Sequence, residues 1–269
     1  MNAPAALRRW HLASLDAPTV AVVWSLVLAR VAAVHLPMWV PVLLALGTWA
    51  VYVGDRLLDA QRALRTGDTH ALHERHWFHW QHRHMLLPVA GVAACACAAL
   101  IMVEMPAANR ERNSMLAAAT LAYFGGVHLP RKPRWFPALA SKELLVGMLF
   151  ASGCTLPTLL RADTSTRIDV LIAAAYLAVL AWLNCYAIDR WEASPDASIA
   201  RSAGVLAVVG GLLALALRAS HPAAAALVTA AAASAALLVL LDAARTRMTA
   251  LTLRAAADLV LLTPVVLLR

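Results

Sequence analysis

The sequence predicts an all-α, polytopic membrane protein with about nine transmembrane helices, and three observations support that prediction. Of its 269 residues, 62% are hydrophobic and 14% are charged, whereas a soluble domain is about 45–50% apolar and about 25% charged. Alanine and leucine dominate and only 6% of the residues are aromatic, a composition that favours helices over strands. The length holds eight or nine spans of about 20 residues with short connections. We therefore expect one transmembrane helical domain over residues 1–269.

The predicted spans follow from nine apolar stretches, taken in chain order. They lie near residues 18–36, 38–57, 85–103, 114–129, 137–157, 168–187, 202–217, 222–241 and 251–268. Residues 1–17 precede the first stretch, and we expect them to form a cytoplasmic N-terminal segment. Several stretches contain glycine or proline, which membrane helices tolerate.

The basic residues predict the orientation of the spans. With the N-terminus inside, sixteen of the 23 lysines and arginines lie on the inside and six on the outside, with Arg30 within the first span. Such a bias in short loops places the N-terminus inside and, with nine spans, the C-terminus outside a bacterial-type inner membrane. The net charge of +8 is therefore interpreted as a sign of orientation, and we expect no nucleic-acid partner.

Two of the predicted inside helix ends have similar sequences. The second span ends with Tyr52, Asp55, Arg56 and Asp59, and the sixth with Tyr186, Asp189, Arg190 and Glu192. Each end reads Tyr-x-x-Asp-Arg and has a second acid three or four residues after the aspartate, so both acids share a helix face. Because four spans separate the two ends, the sequence also indicates an internal repeat of four helices.

Paired acidic faces at a membrane edge have two interpretations. Acids near hydrocarbon usually face a bundle interior or a water-filled cavity, and facing carboxylates repel each other unless a cation lies between them. Mg²⁺ suits that role because it is commonly shared between carboxylates and phosphate oxygens, and arginines bind phosphates directly. Alternatively, each Asp-Arg pair is a local ion pair that anchors its helix end. The pattern alone leaves both interpretations open.

The arrangement resembles the UbiA superfamily of intramembrane prenyltransferases. Members of that family have nine helices, with acidic motifs after helices 2 and 6 on the cytoplasmic side, and the similarity is strongest around Asp55, Asp59 and Asp189. The stretch 141–147, Ser-Lys-Glu-Leu-Leu-Val-Gly, resembles the start of the family's fifth helix, and residues 254–264, with Asp258, resemble the last helix of some members. Val51 stands where the family usually has asparagine, and Cys185 and Ala193 stand where its second motif usually has acids.

The resemblance implies a function and a set of site residues. It implies transfer of an isoprenyl group from a prenyl diphosphate to an aromatic or lipid acceptor, with Mg²⁺ as cofactor. Asp55, Asp59 and Asp189 would be the catalytic acids, and these three together with Glu192 would hold the metal. The resemblance also implies residues that bind or orient the diphosphate. They are Arg56, Arg190, Arg131, Lys132, Lys142, Tyr52 and Tyr186.

Two other functions are compatible with the sequence. The missing asparagine and the depleted second motif favour a member of the same fold that has lost its chemistry and acts as a binding or scaffold protein. Internal repeats and charged residues within the membrane are also typical of transporters, although here the acids lie at one face rather than at the bilayer centre.

Residues 61–84 form a segment rich in histidine and tryptophan, which we expect to be an interfacial loop. Five histidines recur every third residue from His70 to His82, and imidazoles three apart can bind Zn²⁺ or Cu²⁺. The interleaved Trp77, Phe78 and Trp80 favour an amphipathic helix over the inside opening. Because histidines titrate near neutral pH, a pH-sensitive lid is a further interpretation.

Overall fold

The computed structural model describes residues 5–67, 72–128, 142–194 and 196–269, and this part of the chain is helical without any strand. It contains eleven α-helices and two short 3₁₀ helices, Arg245–Arg247 and Thr263–Leu268. The α-helices are α1 (Ala5–Leu12), α2 (Asp16–Val31), α3 (Trp39–Thr66), α4 (Glu74–Gln81), α5 (Arg83–Glu104), α6 (Ala107–His128), α7 (Lys142–Leu159), α8 (Thr164–Ala193), α9 (Ala200–Leu217), α10 (Pro222–Ala244) and α11 (Ala250–Val260).

Six helical segments in the described residues are long and apolar enough to cross a membrane. They are α3, α5, α8, α9, α10 with the 3₁₀ turn after it, and α11 with the last 3₁₀ helix. The pair α1 and α2, bent by 86°, makes a seventh if it is counted as one span. Every predicted apolar stretch overlaps a helix, but the predicted count of nine spans is not confirmed, because α6 and α7 are not among the described helices that qualify as membrane spans.

The bend between α1 and α2 is held by side chains from α3. Ser14, within the bend, has a φ of 59°, a left-handed conformation that residues with a side chain rarely adopt. Trp49 donates from Nε1 to the carbonyl oxygen of Ala13 at 2.9 Å, and Arg56 donates to the carbonyl oxygen of His11 at 3.1 Å. These bonds satisfy carbonyls that the end of α1 leaves without a helical partner.

Helix α8 lies at the centre of the bundle. Leu177, Leu180 and Leu183 on this helix are almost fully buried in one apolar core, together with residues of α2, α7, α9 and α10. The core also joins α2 to the residues that follow α11, because Trp24 on α2 donates from Nε1 to the carbonyl oxygen of Leu261 at 3.0 Å.

Large apolar side chains remain exposed on the outside of the bundle, especially on α5 and α9. Val92, Met102, Val208 and Leu212 are each more than half exposed. A soluble monomer rarely exposes apolar surface to this extent, whereas lipid covers such surface in a membrane protein. Together with the long apolar helices, the exposed side chains are consistent with an integral membrane protein.

Candidate functional site

The two similar helix ends have a neighbour in common, the first turn of α7. The Lys142 ammonium lies 4.0 Å from Asp59 Oδ2 at the end of α3. Lys142 and Glu143 also interact electrostatically with Asp189, near the end of α8. We call Asp59, Lys142, Glu143 and Asp189 the acidic cluster. The ends of α3 and α8 therefore lie at the same end of the bundle, with the start of α7 between them.

The same helices also approach each other one turn deeper. Tyr52 on α3 interacts electrostatically with Cys185 on α8 and with Asp258 on α11. Asp55 and Asp59 are half-buried, whereas Asp189 is exposed. The acidic cluster thus lies where the bundle meets its surroundings, and the helix positions below it are increasingly enclosed.

Glu192 also interacts electrostatically with Asp189, but its carboxylate is held by side chains of other helices. Arg75 on α4 donates to both of its carboxylate oxygens, at 2.7 and 3.1 Å, and Arg254 on α11 donates to Oε1 at 2.9 Å. His73 Nε2 lies 3.3 Å from Oε2. A metal ion could use Glu192 only after displacing both arginines, so its predicted role as a ligand stays a prediction without support from this geometry.

Arg56 also points away from the acidic cluster. It is 3% exposed, and its Nη1 donates to Ser14 Oγ at 2.8 Å as well as to the backbone of α1. Its Nη2 lies 3.7 Å from Asp16 Oδ2. Arg56 therefore holds α3 against the bend between α1 and α2, a position from which it does not reach the acidic cluster.

Of the other predicted diphosphate-binding residues, two lie near Asp189 and two lie outside the described residues. Arg190 is exposed and lies 5.9 Å from the centre of the Tyr186 ring, which in turn stacks on Trp182. Both side chains are on the end of α8 that carries Asp189. Arg131 and Lys132 lie outside the described residues.

A cavity of about 510 Å³ lies between α1, α4, α8 and α11, and Glu192 is the residue of α8 that lines it. Basic side chains from three of these helices line it, namely Arg8, Arg75 and Arg254, with Glu74 and Glu192 among them. The first turn of α11 also borders the cavity, and there the Thr252 backbone N–H donates to Thr249 Oγ1 at 3.3 Å. This cavity was not predicted from the sequence.

Helix α4 forms one wall of the cavity and contains the middle of the histidine-rich segment. Residues 61–66 of that segment continue α3, and only residues 74–81 form the short helix. His79 is buried, with Nε2 2.9 Å from Ser14 Oγ and Nδ1 2.7 Å from the carbonyl oxygen of Arg75. Burial lowers the pKa of His79 to about 4 and that of His76 to about 3, so both are neutral near pH 7.

One group of possible metal ligands occurs among the described residues, and it does not include the α4 histidines. It consists of His11, Asp16 and Asp258, which we call the buried triad. His11 Nδ1 lies 2.6 Å from Asp16 Oδ2 and 3.9 Å from Asp258 Oδ2. The sequence places His11 and Asp16 five residues apart, but no spacing connects them to Asp258, so sequence reasoning missed the group.

Comparison with known proteins identified no relative of this chain. No protein-family model, no curated protein and no solved structure matches the chain. The functional interpretation therefore depends on the residues and on the geometry described above.

Proposed function

We propose that this chain is an intramembrane prenyltransferase, similar to the UbiA superfamily, that binds a prenyl diphosphate at the ends of α3 and α8. The observation that carries the proposal is the position of Lys142, 4.0 Å from Asp59 and within electrostatic range of Asp189. The charge of one lysine thus acts on an acid of each of two helix ends that have similar sequences and lie four predicted spans apart. Local ion pairs that anchored each helix end separately would not require this convergence.

The acidic cluster supplies the type of donor that Mg²⁺ takes, although its carboxylates do not come together as a ready ligand group among the described residues. Asp59, Glu143 and Asp189 are carboxylates, and Mg²⁺ is commonly bound by one or two carboxylates together with phosphate oxygens. None of the three is fully buried, so phosphate oxygens and water have access to them. Bound Mg²⁺ would neutralise charge on the diphosphate as the bond to the isoprenyl carbon breaks.

Lys142 has the clearest role among the residues of the chain itself. In the structure its ammonium offsets the charge of Asp59, and it is 43% exposed, so it is free to reorient. A lysine at this point presents three N–H donors to the oxygens of the departing diphosphate. The oxygen takes the electron pair of the broken C–O bond, and Lys142 stabilises the resulting negative charge.

The apolar helices hold the remainder of the donor. An isoprenyl chain is a hydrocarbon, and its transfer from water to the apolar surfaces of these helices is favourable by about 0.8 kcal/mol per buried CH₂ group. Tyr52 lies at the boundary between the acidic cluster and this apolar region. Exclusion of water there favours capture of the allylic cation by the acceptor rather than by water.

Binding of a fluorescent farnesyl diphosphate analogue tests the proposal. With the purified protein in nanodiscs, we expect Mg²⁺-dependent binding that is weakened at least about tenfold by Asp59→Asn and by Asp189→Asn. Lys142→Gln should weaken binding both with and without Mg²⁺, because it removes a direct contact with the diphosphate.

The matched control is Asp163→Asn, an exposed aspartate at the opposite end of α8. This variant should bind the analogue like the unaltered protein. Equal affinity of the unaltered protein, Asp59→Asn and Asp189→Asn would overturn the proposal.

A second candidate function is a binding protein of the same kind that does not turn its ligand over. The arginines around Glu192 favour it, because they leave the α8 end with one available carboxylate, Asp189. Release of inorganic diphosphate separates the two functions. Mg²⁺-dependent binding without any release across a panel of aromatic and lipid acceptors would indicate the binding protein, whereas release with any acceptor indicates the enzyme.

A further inference from the structure

We propose that His11, Asp16 and Asp258, the buried triad, bind a divalent transition-metal ion such as Zn²⁺ at a site separate from the acidic cluster. The site would join the bend between α1 and α2 to the last helix, α11. The proposal is independent of the proposed function, because it uses none of the residues assigned there to the diphosphate or to Mg²⁺.

The geometry brings one ligand atom from each residue to a common point. His11 Nδ1, one oxygen of Asp16 and one oxygen of Asp258 all lie within 4.8 Å of one another. His11 and Asp16 are each 1% exposed, and the Asp258 side chain is 18% exposed. An imidazole nitrogen and two carboxylates in such a group are a usual ligand set for a divalent metal.

Donors from outside the buried triad hold one oxygen of each carboxylate, and the second oxygen of Asp16 pairs with His11. Ala17 donates its backbone N–H to Asp16 Oδ1 at 3.0 Å, and Asn184 Nδ2 donates to Asp258 Oδ1 at 3.1 Å. Each carboxylate thus has one oxygen held by the protein, while its Oδ2 is the atom nearer to His11. Partners of this kind, which orient a ligand from outside, are typical of metal sites.

An independent observation is that polar atoms at this point lack hydrogen bonds. His11 Nδ1, Asp16 Oδ2 and Asn184 Oδ1 are buried and have no hydrogen-bond partner among the described residues. The first two lie 2.6 Å apart as a buried ion pair, which a metal ion bound by both atoms would replace. A buried polar atom without a partner is destabilising, and a cation bound among these atoms would remove that cost.

The neighbouring arginines do not fill this position. Arg56 Nη2 is 3.7 Å from Asp16 Oδ2, which is too long for a hydrogen bond, and its Nη1 is engaged by Ser14 and by the backbone of His11. Arg254, one turn before Asp258, donates to Glu192. A divalent cation would balance the two carboxylates of the buried triad, while these arginines stay with their present partners.

The ligand types indicate the class of metal, and the neighbouring cavity provides a route of entry. A histidine nitrogen favours zinc and other first-row transition metals, whereas Mg²⁺ takes oxygen ligands. His11 also lines the 510 Å³ cavity, so an ion has access to the triad from that side. Three protein ligands next to a cavity leave a coordination position for water or for an anion, an arrangement that is typical of zinc sites with open coordination.

Metal binding by the purified full-length chain tests the proposal. After removal of any affinity tag and dialysis against Zn²⁺ with excess Mg²⁺, we expect one Zn²⁺ per chain by mass spectrometry of the metal content. Co²⁺ in its place should give visible absorption bands. Asp258→Asn and His11→Gln should each weaken Zn²⁺ binding at least about tenfold and remove the Co²⁺ bands.

The controls separate this site from three other sources of metal binding. The variant with His82→Ala and His84→Ala changes the histidine-rich segment, Asp169→Asn changes another aspartate that contacts a histidine, and Asp59→Asn changes the acidic cluster. All three should keep the Zn²⁺. The proposal is overturned if the chain takes up no stoichiometric Zn²⁺, if Asp258→Asn and His11→Gln both retain it, or if the change at residues 82 and 84 removes it.

Discussion

Asp242 is a buried carboxylate that the protein satisfies with hydrogen bonds and with an ion pair to Arg245 at 3.4 Å. It is 2% exposed and accepts from Trp191 Nε1 at 2.9 Å, Ser198 Oγ at 2.6 Å and the Ile199 backbone N–H at 3.1 Å. These bonds fasten the connection between α8 and α9 to the end of α10. Asp16, equally buried, has one oxygen without any such bond, and this difference separates a structural carboxylate from a candidate metal ligand.

Asp242→Ala should destabilise the protein by about 2–4 kcal/mol, because it leaves two buried N–H donors and a hydroxyl without their acceptor. Unfolding in mixed micelles with increasing sodium dodecyl sulfate measures the change. Asp196→Ala, at an exposed aspartate in the same connection, is the control and should stay within about 0.5 kcal/mol of the unaltered protein. Equal stability of the two variants would contradict this assignment.

The sequence predicted the residues of the acidic ends but not all of their contacts. Positions three or four apart share a helix face, which is why Asp189 and Glu192 were paired. In the structure, Glu192 is held by Arg75 and Arg254, which come from helices distant in sequence. The neighbours of a helix face depend on tertiary packing, and no local pattern determines them.

At the scale of the helices, hydropathy predicts the positions of the helices more reliably than their ends. The second apolar stretch was placed at residues 38–57, whereas α3 continues to Thr66 because Leu57, Ala60 and Ala63 remain buried on one face. Gly67 ends the helix with a φ of 75°, a conformation that glycine adopts without strain. Hydropathy identifies the apolar part of a helix. It does not identify further turns that are polar overall but still pack against the bundle on one face.

The contact between α7 and α8 depends on Gly147. A Cβ atom at this position would lie 2.7 Å from the backbone nitrogen of Trp182, so one helix would have to move. Gly147→Ala should therefore cost about 1–3 kcal/mol in the same unfolding measurement. Because Lys142 and Glu143 lie at the start of α7, this variant should also weaken binding of the farnesyl diphosphate analogue.

Gly153→Ala on the same helix is the matched control, since a Cβ there meets no described atom within 4 Å. It should be neutral or slightly stabilising, because alanine is the better helix former by about 1 kcal/mol. If both variants unfold alike, close packing at Gly147 is not what holds the two helices together.

At the scale of the whole molecule, helix α2 near the start of the chain packs against the residues that follow α11. The sequence analysis did not predict this contact. Trp24 bonds to the backbone at Leu261, and Ser234 Oγ lies 2.6 Å from Thr263 Oγ1, so α11 and the residues after it pack against α2 and α10. That packing brings Asp258 to His11 and Asp16. A contact between residues 16 and 258 leaves no periodic signal, whereas the matching ends of α3 and α8 left one in their sequences.

The orientation predicted from the basic residues can be tested on intact cells. In a chain without its four natural cysteines, single cysteines replace Ala219, between α9 and α10, or Thr246, after α10. Both positions are exposed. From outside, a membrane-impermeant maleimide should label the cysteine at position 219 and not the one at position 246. The reverse labelling would place the acidic cluster on the outer face.

The most direct test of the central claim, that the two acidic helix ends together hold a metal-bound diphosphate, uses Mn²⁺ in place of Mg²⁺. With farnesyl diphosphate bound, electron-nuclear double resonance should detect ³¹P coupled to Mn²⁺ in the unaltered protein. Asp59→Asn and Asp189→Asn should each lose this coupling. Bound Mn²⁺ without ³¹P coupling, or coupling that persists in both variants, would contradict the account.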